Sequence, residues 1–408
     1  MAGFSFAGEL TQSFRSVLYF EQYKTPSGTK RSRSLAGPAA IERYLDADEK
    51  GRLIQSLKSH LPSRSLTGTE IFGRHHALEH LIAGMLVELR HQAERQFGHP
   101  VREAVVGRPV RFVGSASDGD DAFAVERLRV AFQQAGFEQV EFVLESVAAA
   151  YAYEATLEHD EQILIADFGG GTSDFSLLRV GPGVKRRGRA ATDLLGNSGV
   201  GVAGDAFDAK IVRRVVSPAL GSESQARSFN KLLTAVPAWV YANLEQWHYL
   251  SFLRTNNVRQ ILQGAYARAL EPDKIESLMA IIDYDLGYPL HQAVQRVKFA
   301  LSQSEQAEFR FHEGGLDLRI PVERTEFESW IADELAAMAH CVDGLLASAG
   351  LRPADIDRVF MTGGTSFVPA VRRIFASRFG HQRIQAGNEF TSVARGLALY
   401  AAEREPRG

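Results

Sequence analysis

A two-lobed α/β fold is what this chain predicts, and three observations carry the prediction. The first is size: 408 residues, 45% hydrophobic and 23% charged, suit two cores, since a single core stops growing at roughly 250–300 residues. The second is alternation of short β-branched runs with longer amphipathic stretches, the pattern of strands interleaved with helices. The third is a pair of apolar strands that each run into glycines, at 169–171 and at 363–364.

Taken in chain order, EAVVGRPVRF (103–112) reads as strand, ERLRVAFQQAGF (126–137) as helix, QVEFVLES (139–146) as strand and VAAAYAYEATL (147–157) as helix. QILIADFGGGTSDFSLLRV (162–180) is a hairpin, because its apolar residues flank a turn too glycine-rich for a helix. The stretch from Phe207 to about Glu326, with Trp239 and Trp247, is mostly helical in pattern and reads as an inserted subdomain. A helix over about 325–350 precedes RVFMTGGTSFVPAVRRIF (358–375), a strand that ends in a glycine turn and re-enters a helix near Pro369. The division this implies is a first lobe over 1–161, a second over 162–390 with its insert at about 205–326, and a helix over 391–408 packing back on the first lobe.

Composition excludes several classes. The formal net charge is −3, which gives no field that gathers nucleic acid or anionic membrane. The run Lys185, Arg186, Arg187 and Arg189 is short and interrupted by glycine, and reads as a solvated loop. A single cysteine, Cys341, rules out a disulfide framework within one chain and fits a cytoplasmic protein. No apolar run approaches the roughly 18 residues of a membrane span. His76 and His80 at helical spacing, beside His75, suggest a metal pair, but no HExxH glutamate lies between them and structural histidines are the better reading. Neither a GxSxG elbow nor a GxxxxGK[ST] loop occurs.

The hairpin carries the chemistry. Gly169, Gly170 and Gly171 let backbone N–H groups approach a polyphosphate, Thr172 adds a hydroxyl, and Asp167 and Asp174 bracket the turn. Carboxylates on either side of such a nest suit hydrated Mg²⁺, which keeps most of its waters. The blander reading is a tight hairpin whose aspartates bond the turn. Gly363 and Gly364 form a second candidate nest, where a strand feeds a helix N-terminus; close helix packing is the competing explanation.

Together these segments resemble the heat-shock 70-type (DnaK-like) chaperone ATPase family of the actin-like, ribonuclease H-like superfold. IADFGGGTSDFSLLRV is similar to its second phosphate-binding signature, and FVLESVAAAYAYE (142–154) to its first interlobe helix. VAGDAFDAKIV (202–212), AVQRVKFALSQS (293–304), the 358–375 segment and FTSVARGLALYA (390–401) follow in the family's order. The resemblance runs from about Val101 onward and is nearest to the YegD-like branch, which lacks a peptide-binding domain.

The resemblance implies ATP or ADP with Mg²⁺ as ligands, and protein clients or co-chaperones as partners. Asp167 and Asp174 would organise the metal and the attacking water, Glu145 would touch the metal's hydration shell, and Gly169 to Thr172 would cradle phosphates. Gly363, Gly364 and Thr365 would face the adenosine and α-phosphate, with Lys298 and Ser302 reaching the nucleoside. Lys58 would approach the γ-phosphate, with Lys50 as the other alignment. Phe299 and Phe367 stand where the family usually has a base-stacking arginine, Gln295 at a usual glutamate and Phe390 at an acidic position. The family's first phosphate hairpin has no counterpart in the opening SFRSVLYFEQYKTPSG (13–28), which predicts a truncated first lobe, completed by an upstream start or by another chain. The resemblance therefore implies an ATPase with an incomplete phosphate clamp, or a non-hydrolysing nucleotide sensor or interaction scaffold, with a small-molecule kinase third.

Overall fold

The structure is a computed structural model that describes residues 2–404 apart from 7, 48–50, 155–156, 188–192, 229–230, 246–248, 251–252 and 387–391. Its centre is a five-stranded sheet ordered Leu194–Val200, Ser173–Val180, Glu161–Phe168, Arg358–Thr362, Ile384–Ala386. The first three strands pair antiparallel, and Arg358–Thr362 joins Glu161–Phe168 in parallel. Ile163, Leu164, Ile165 and Ala166 are at most 1% exposed, so the central strand is apolar on both faces, as a parallel pairing with covered faces requires. The main core joins this sheet to the helices Gly204–Ile211, Gly287–Gln303, Ala332–Ser348 and Pro369–Phe379.

The N-terminal half is built on smaller sheets. Lys30–Ala36, Val17–Lys24 and Arg52–Gln55 form an antiparallel three-stranded sheet. Glu103–Arg108 and Gln139–Leu144 form a parallel pair, linked by the helix Asp118–Gln134. Ser117 caps that helix by accepting from the Asp120 N–H, with Asp118, Asp120 and Asp121 in the first turn favouring the positive end of its dipole. Helix Leu78–Phe97 joins it on one face, where Ala83, Phe132 and Phe137 meet Ala104, Val106 and Val140.

Helices Glu145–Glu154 and Ser392–Arg404 cross on the other face. A side chain at Gly396 would lie 1.6 Å from the Ala148 carbonyl oxygen, so this approach admits glycine only. The two halves also meet where Tyr44 donates to the Asp285 carbonyl at 2.7 Å and its ring lies 6.2 Å from that of Tyr288. Among the described residues no helix is long and apolar enough to cross a membrane.

Several expectations change. The basic run forms part of a short helix, Pro182–Arg187, with Pro182 at its start and its cations in the last turn, where the helix dipole favours them. Lys185 pairs with Glu403 and Arg187 with the buried Asp193, while Arg189 lies outside the described residues. His75 and His76 belong to the strand Arg74–Ala77 and only His80 is helical, so the metal-pair spacing does not exist. The expected 325–350 helix is two, Arg324–Trp330 and Ala332–Ser348, broken at Ile331. The insert holds two hairpins besides its helices, Gln225–Ser228 with Lys231–Thr234 and Gln306–Glu313 with Leu316–Glu323; Trp247 and Phe390 lie outside the described residues. A hairpin of Phe4–Phe6 and Glu9–Thr11 stands at the N-terminus, with Gly3 beside it bonded to Gln92 and Gln96.

Candidate nucleotide site

The sheet brings the two glycine turns together. Asp167 pairs with Asp174 across the hairpin and with Thr362 across the parallel ladder. The Thr362 hydroxyl donates to Asp167 Oδ1 at 2.6 Å. One residue later the chain turns at Gly363, φ 83, where a Cβ would lie 2.0 Å from the Phe168 carbonyl oxygen. Only glycine adopts that conformation at that distance without strain. The 169–172 turn is closed by Gly169 N–H donating to the Thr172 carbonyl at 2.8 Å, and Gly170 accepts from Asp205 N–H at 2.7 Å. Gly171 abuts Val113 of the N-terminal half, 2.7 Å from where a Cβ would stand. The hairpin thus faces the seam between the halves.

Lys58 and Glu145 meet there from the N-terminal half. Lys58 sits on a 3-10 turn, Leu57–His60, and its Nζ lies 2.8 Å from Glu145 Oε1 at the start of helix Glu145–Glu154. Burial pushes the Asp174 carboxyl up to about 7, helped by Glu145 and Asp167 and opposed by the Thr172 hydroxyl, which donates at 3.1 Å. Burial and Glu145 likewise raise Asp167, against the pull of Thr362 and Lys58. Three carboxylates crowd one small region with one lysine beside them, an arrangement that favours an added cation or a proton.

On the other side of the glycines, Lys298 Nζ lies 2.7 Å from Asp208 Oδ1 and donates to the Gly204 carbonyl at 3.2 Å. A Cβ on Gly204 would stand 3.0 Å from Thr365 Oγ1 and 3.3 Å from Lys298 Nζ, so these three residues share one wall. Burial raises the carboxyls of Asp205 and Asp208, with Lys298 opposing. Burial and Lys298 push His291 down to about 4, against Asp205. Ser302 lies on the same helix, but its hydroxyl donates to the Phe299 carbonyl at 2.6 Å. Phe299 itself is 55% exposed, available to an aromatic partner.

Of the residues singled out from sequence, Asp167, Asp174, Glu145 and Lys58 come together with Gly169, Gly170, Gly171 and Thr172, and Gly363, Gly364, Thr365 and Lys298 line the adjoining wall. Sequence reading missed Thr362, Asp205, Asp208 and His291. Asp205 and Asp208 were in view within 202–212, but nothing local marks a carboxylate as buried.

The donor set fits a hydrated divalent cation. Among the described residues no three His, Cys, Asp or Glu side chains are placed to ligate one metal ion together, whereas Mg²⁺ commonly keeps several waters and needs only one or two carboxylates.

Comparison with known proteins gives one family. The family model described as Hsp70 protein matches residues 47–231 and 284–407. Chaperone protein DnaK of Thermosipho africanus (strain TCF52B) is 27% identical over 380 residues, covering 92% of this chain and 52% of that protein. Chaperone protein DnaK of Thermosipho melanesiensis (strain DSM 12029 / CIP 104789 / BI429) is 27% identical over 387 residues, 93% of this chain and 53% of its own. The chain spans about half the length of the curated relatives it matches.

Proposed function

From the premise that this chain belongs to the Hsp70 protein family, with its actin-like α/β fold, we propose that its cleft binds ATP or ADP with Mg²⁺ and hydrolyses ATP. The observation that carries the reading is the Thr362 to Asp167 bond of 2.6 Å, which joins the two glycine turns into one wall. Gly169 closes the turn with its own N–H, backbone donors of 170–172 would hold phosphates, and Gly363, Gly364, Thr365, Lys298 and Ser302 would flank the nucleoside. Phe299 offers a stacking face for the base.

Bound Mg²⁺ would supply charge neutralisation at the transferring phosphoryl group; Asp167 and Asp174 would hold it through its waters. Asp174, bonded by the Thr172 hydroxyl at 3.1 Å, would accept a proton from the attacking water. Lys58 supplies the positive charge on the opposite side, aimed by Glu145. Protein clients or co-chaperones are the partners this reading implies, and a cytoplasmic setting suits it.

Calorimetry with ATP and ADP, with and without Mg²⁺, followed by phosphate release from wild type and Asp167→Ala, tests it. Release that disappears in the variant supports hydrolysis. Binding without release moves the reading to a nucleotide sensor or scaffold, and absence of binding removes both.

A further inference from the structure

Lys58 stands on slight support of its own. Its 3-10 turn, Leu57–His60, is entered through Ser56 at φ 57 and runs into a loop that reaches Leu66. The turn's own late carbonyls are served locally, Lys58 by the Leu61 N–H at 3.3 Å and His60 by the Ser63 N–H at 3.2 Å. The loop beyond it is held by a side chain from far along the chain. Arg127, on helix Asp118–Gln134, is 6% exposed. Its Nη1 donates to the carbonyls of Ser63 at 3.0 Å and Leu66 at 3.2 Å, with longer approaches to Leu61 at 3.4 Å and His60 at 3.5 Å. Its Nε pairs with Glu79 in the first turn of helix Leu78–Phe97.

We propose that Arg127 is a positioning residue that sets Lys58 against Glu145 and Asp167. The role of Lys58 rests on the nucleotide reading above. A buried guanidinium serves several carbonyls and a carboxylate at once because its donors form a rigid planar fork; a lysine ammonium projects all three from one atom. Arg127 thereby ties one loop to two helices, and that loop follows directly on the turn that carries Lys58 beside Glu145. The Lys58 to Glu145 pair cannot do this alone, since the Lys58 side chain is 52% exposed and such pairs contribute little.

The test compares Arg127→Gln and Arg127→Lys with wild type by three readouts: hydrogen exchange across 57–66, acylation of Lys58 relative to Lys24 and Lys30, and phosphate release resolved into kcat and KM. The expected result for Arg127→Gln is faster exchange confined to 57–66 and several-fold faster acylation of Lys58 alone. kcat should fall about 10²-fold, the scale of a misplaced catalytic group, with KM little changed and no further fall in a Lys58→Ala background. Arg127→Lys should lie between, and it decides the matter if the glutamine variant does not fold. Unchanged exchange in 57–66, a uniform rise along the whole chain, or an equal kcat loss with and without Lys58 would overturn the proposal. If wild type releases no phosphate, the hydrolysis reading fails by itself, while exchange and acylation still decide the role of Arg127.

Discussion

Asp167 and Asp174 face each other across the hairpin that the glycine turn closes, as register partners on neighbouring strands. Like charges directly opposite on a sheet destabilise it, and here burial and Glu145 add to the cost. The fold keeps this strain at the cleft, where a bound cation would relieve it.

Asp174→Asn should therefore stabilise the nucleotide-free protein while abolishing phosphate release. The folded carboxyl titrates near 7 against 3.8 in the unfolded chain, so its favourable contribution is complete below about 3.8 and is lost as pH rises through 7. The variant lacks that loss. Its advantage should be largest at pH 8, on the order of 4 kcal/mol as an upper bound, and should shrink as pH falls toward 4. Denaturant unfolding of both proteins at pH 8, 6 and 4.5 measures it. A constant difference across that range would contradict the assignment.

Gly363→Ala tests the joint between the two turns. The residue sits at φ 83, and the methyl of an alanine there would stand 2.0 Å from the Phe168 carbonyl oxygen, so the substitution forces the strands apart. A loss of about 1–3 kcal/mol is expected from backbone strain alone, with nucleotide affinity falling in parallel. Thermal unfolding and calorimetry on the same preparation check it. Gly364→Ala is the control for stability alone, since its φ is not positive and nothing lies within 4 Å of its Cβ position.

Removing Lys58 should act on turnover more than on binding. Lys58 is the cation that opposes the rise of the Asp167 carboxyl, so Lys58→Met should raise that carboxyl further and move the acidic limb of the pH–rate profile to higher pH. A rate loss of about 10² to 10³ is the scale for one oriented donor at a phosphoryl group. Phosphate release between pH 5 and 9, beside ATP affinity at pH 8, separates the two effects.

How much of this was legible beforehand depended on whether the signal was local. The 162–180 hairpin could be read because apolar residues flank three successive glycines, and its pairing follows from that pattern alone. Residues 358–375 were readable for the same reason. Of the basic run, Lys185, Arg186 and Arg187 are exposed, as read, but helical instead of looped, because their helix depends on Pro182 at the start and on the buried partner Asp193. His75 and His76 were misplaced because their strand is set by a turn at Phe72 and Gly73, both at positive φ; a non-glycine residue there leaves no sequence signal. Arg127 was invisible for a related reason, since a long charged side chain reads as surface until the carbonyls around it are known.

His291→Gln should flatten the acid limb of stability. Burial, then Lys298, holds this imidazole near 4 against 6.5 unfolded, with Asp205 opposing and Arg15 adding to the depression. Between pH 6.5 and 4 the unfolded chain takes up a proton that the folded one refuses, so wild type loses stability as pH falls through that window, by up to about 3 kcal/mol. Asp174 works in the opposite sense over much of the same range, so wild type alone will show only a shallow slope. The informative quantity is the difference between wild type and His291→Gln, which should be small above pH 7 and grow in favour of the variant toward pH 4. The same difference measured in an Asp174→Asn background should keep its size, because the two groups act through separate protons. A variant that tracks wild type at every pH would mean that His291 titrates as a solvated imidazole, and that the wall around Lys298 and Asp205 opens to water.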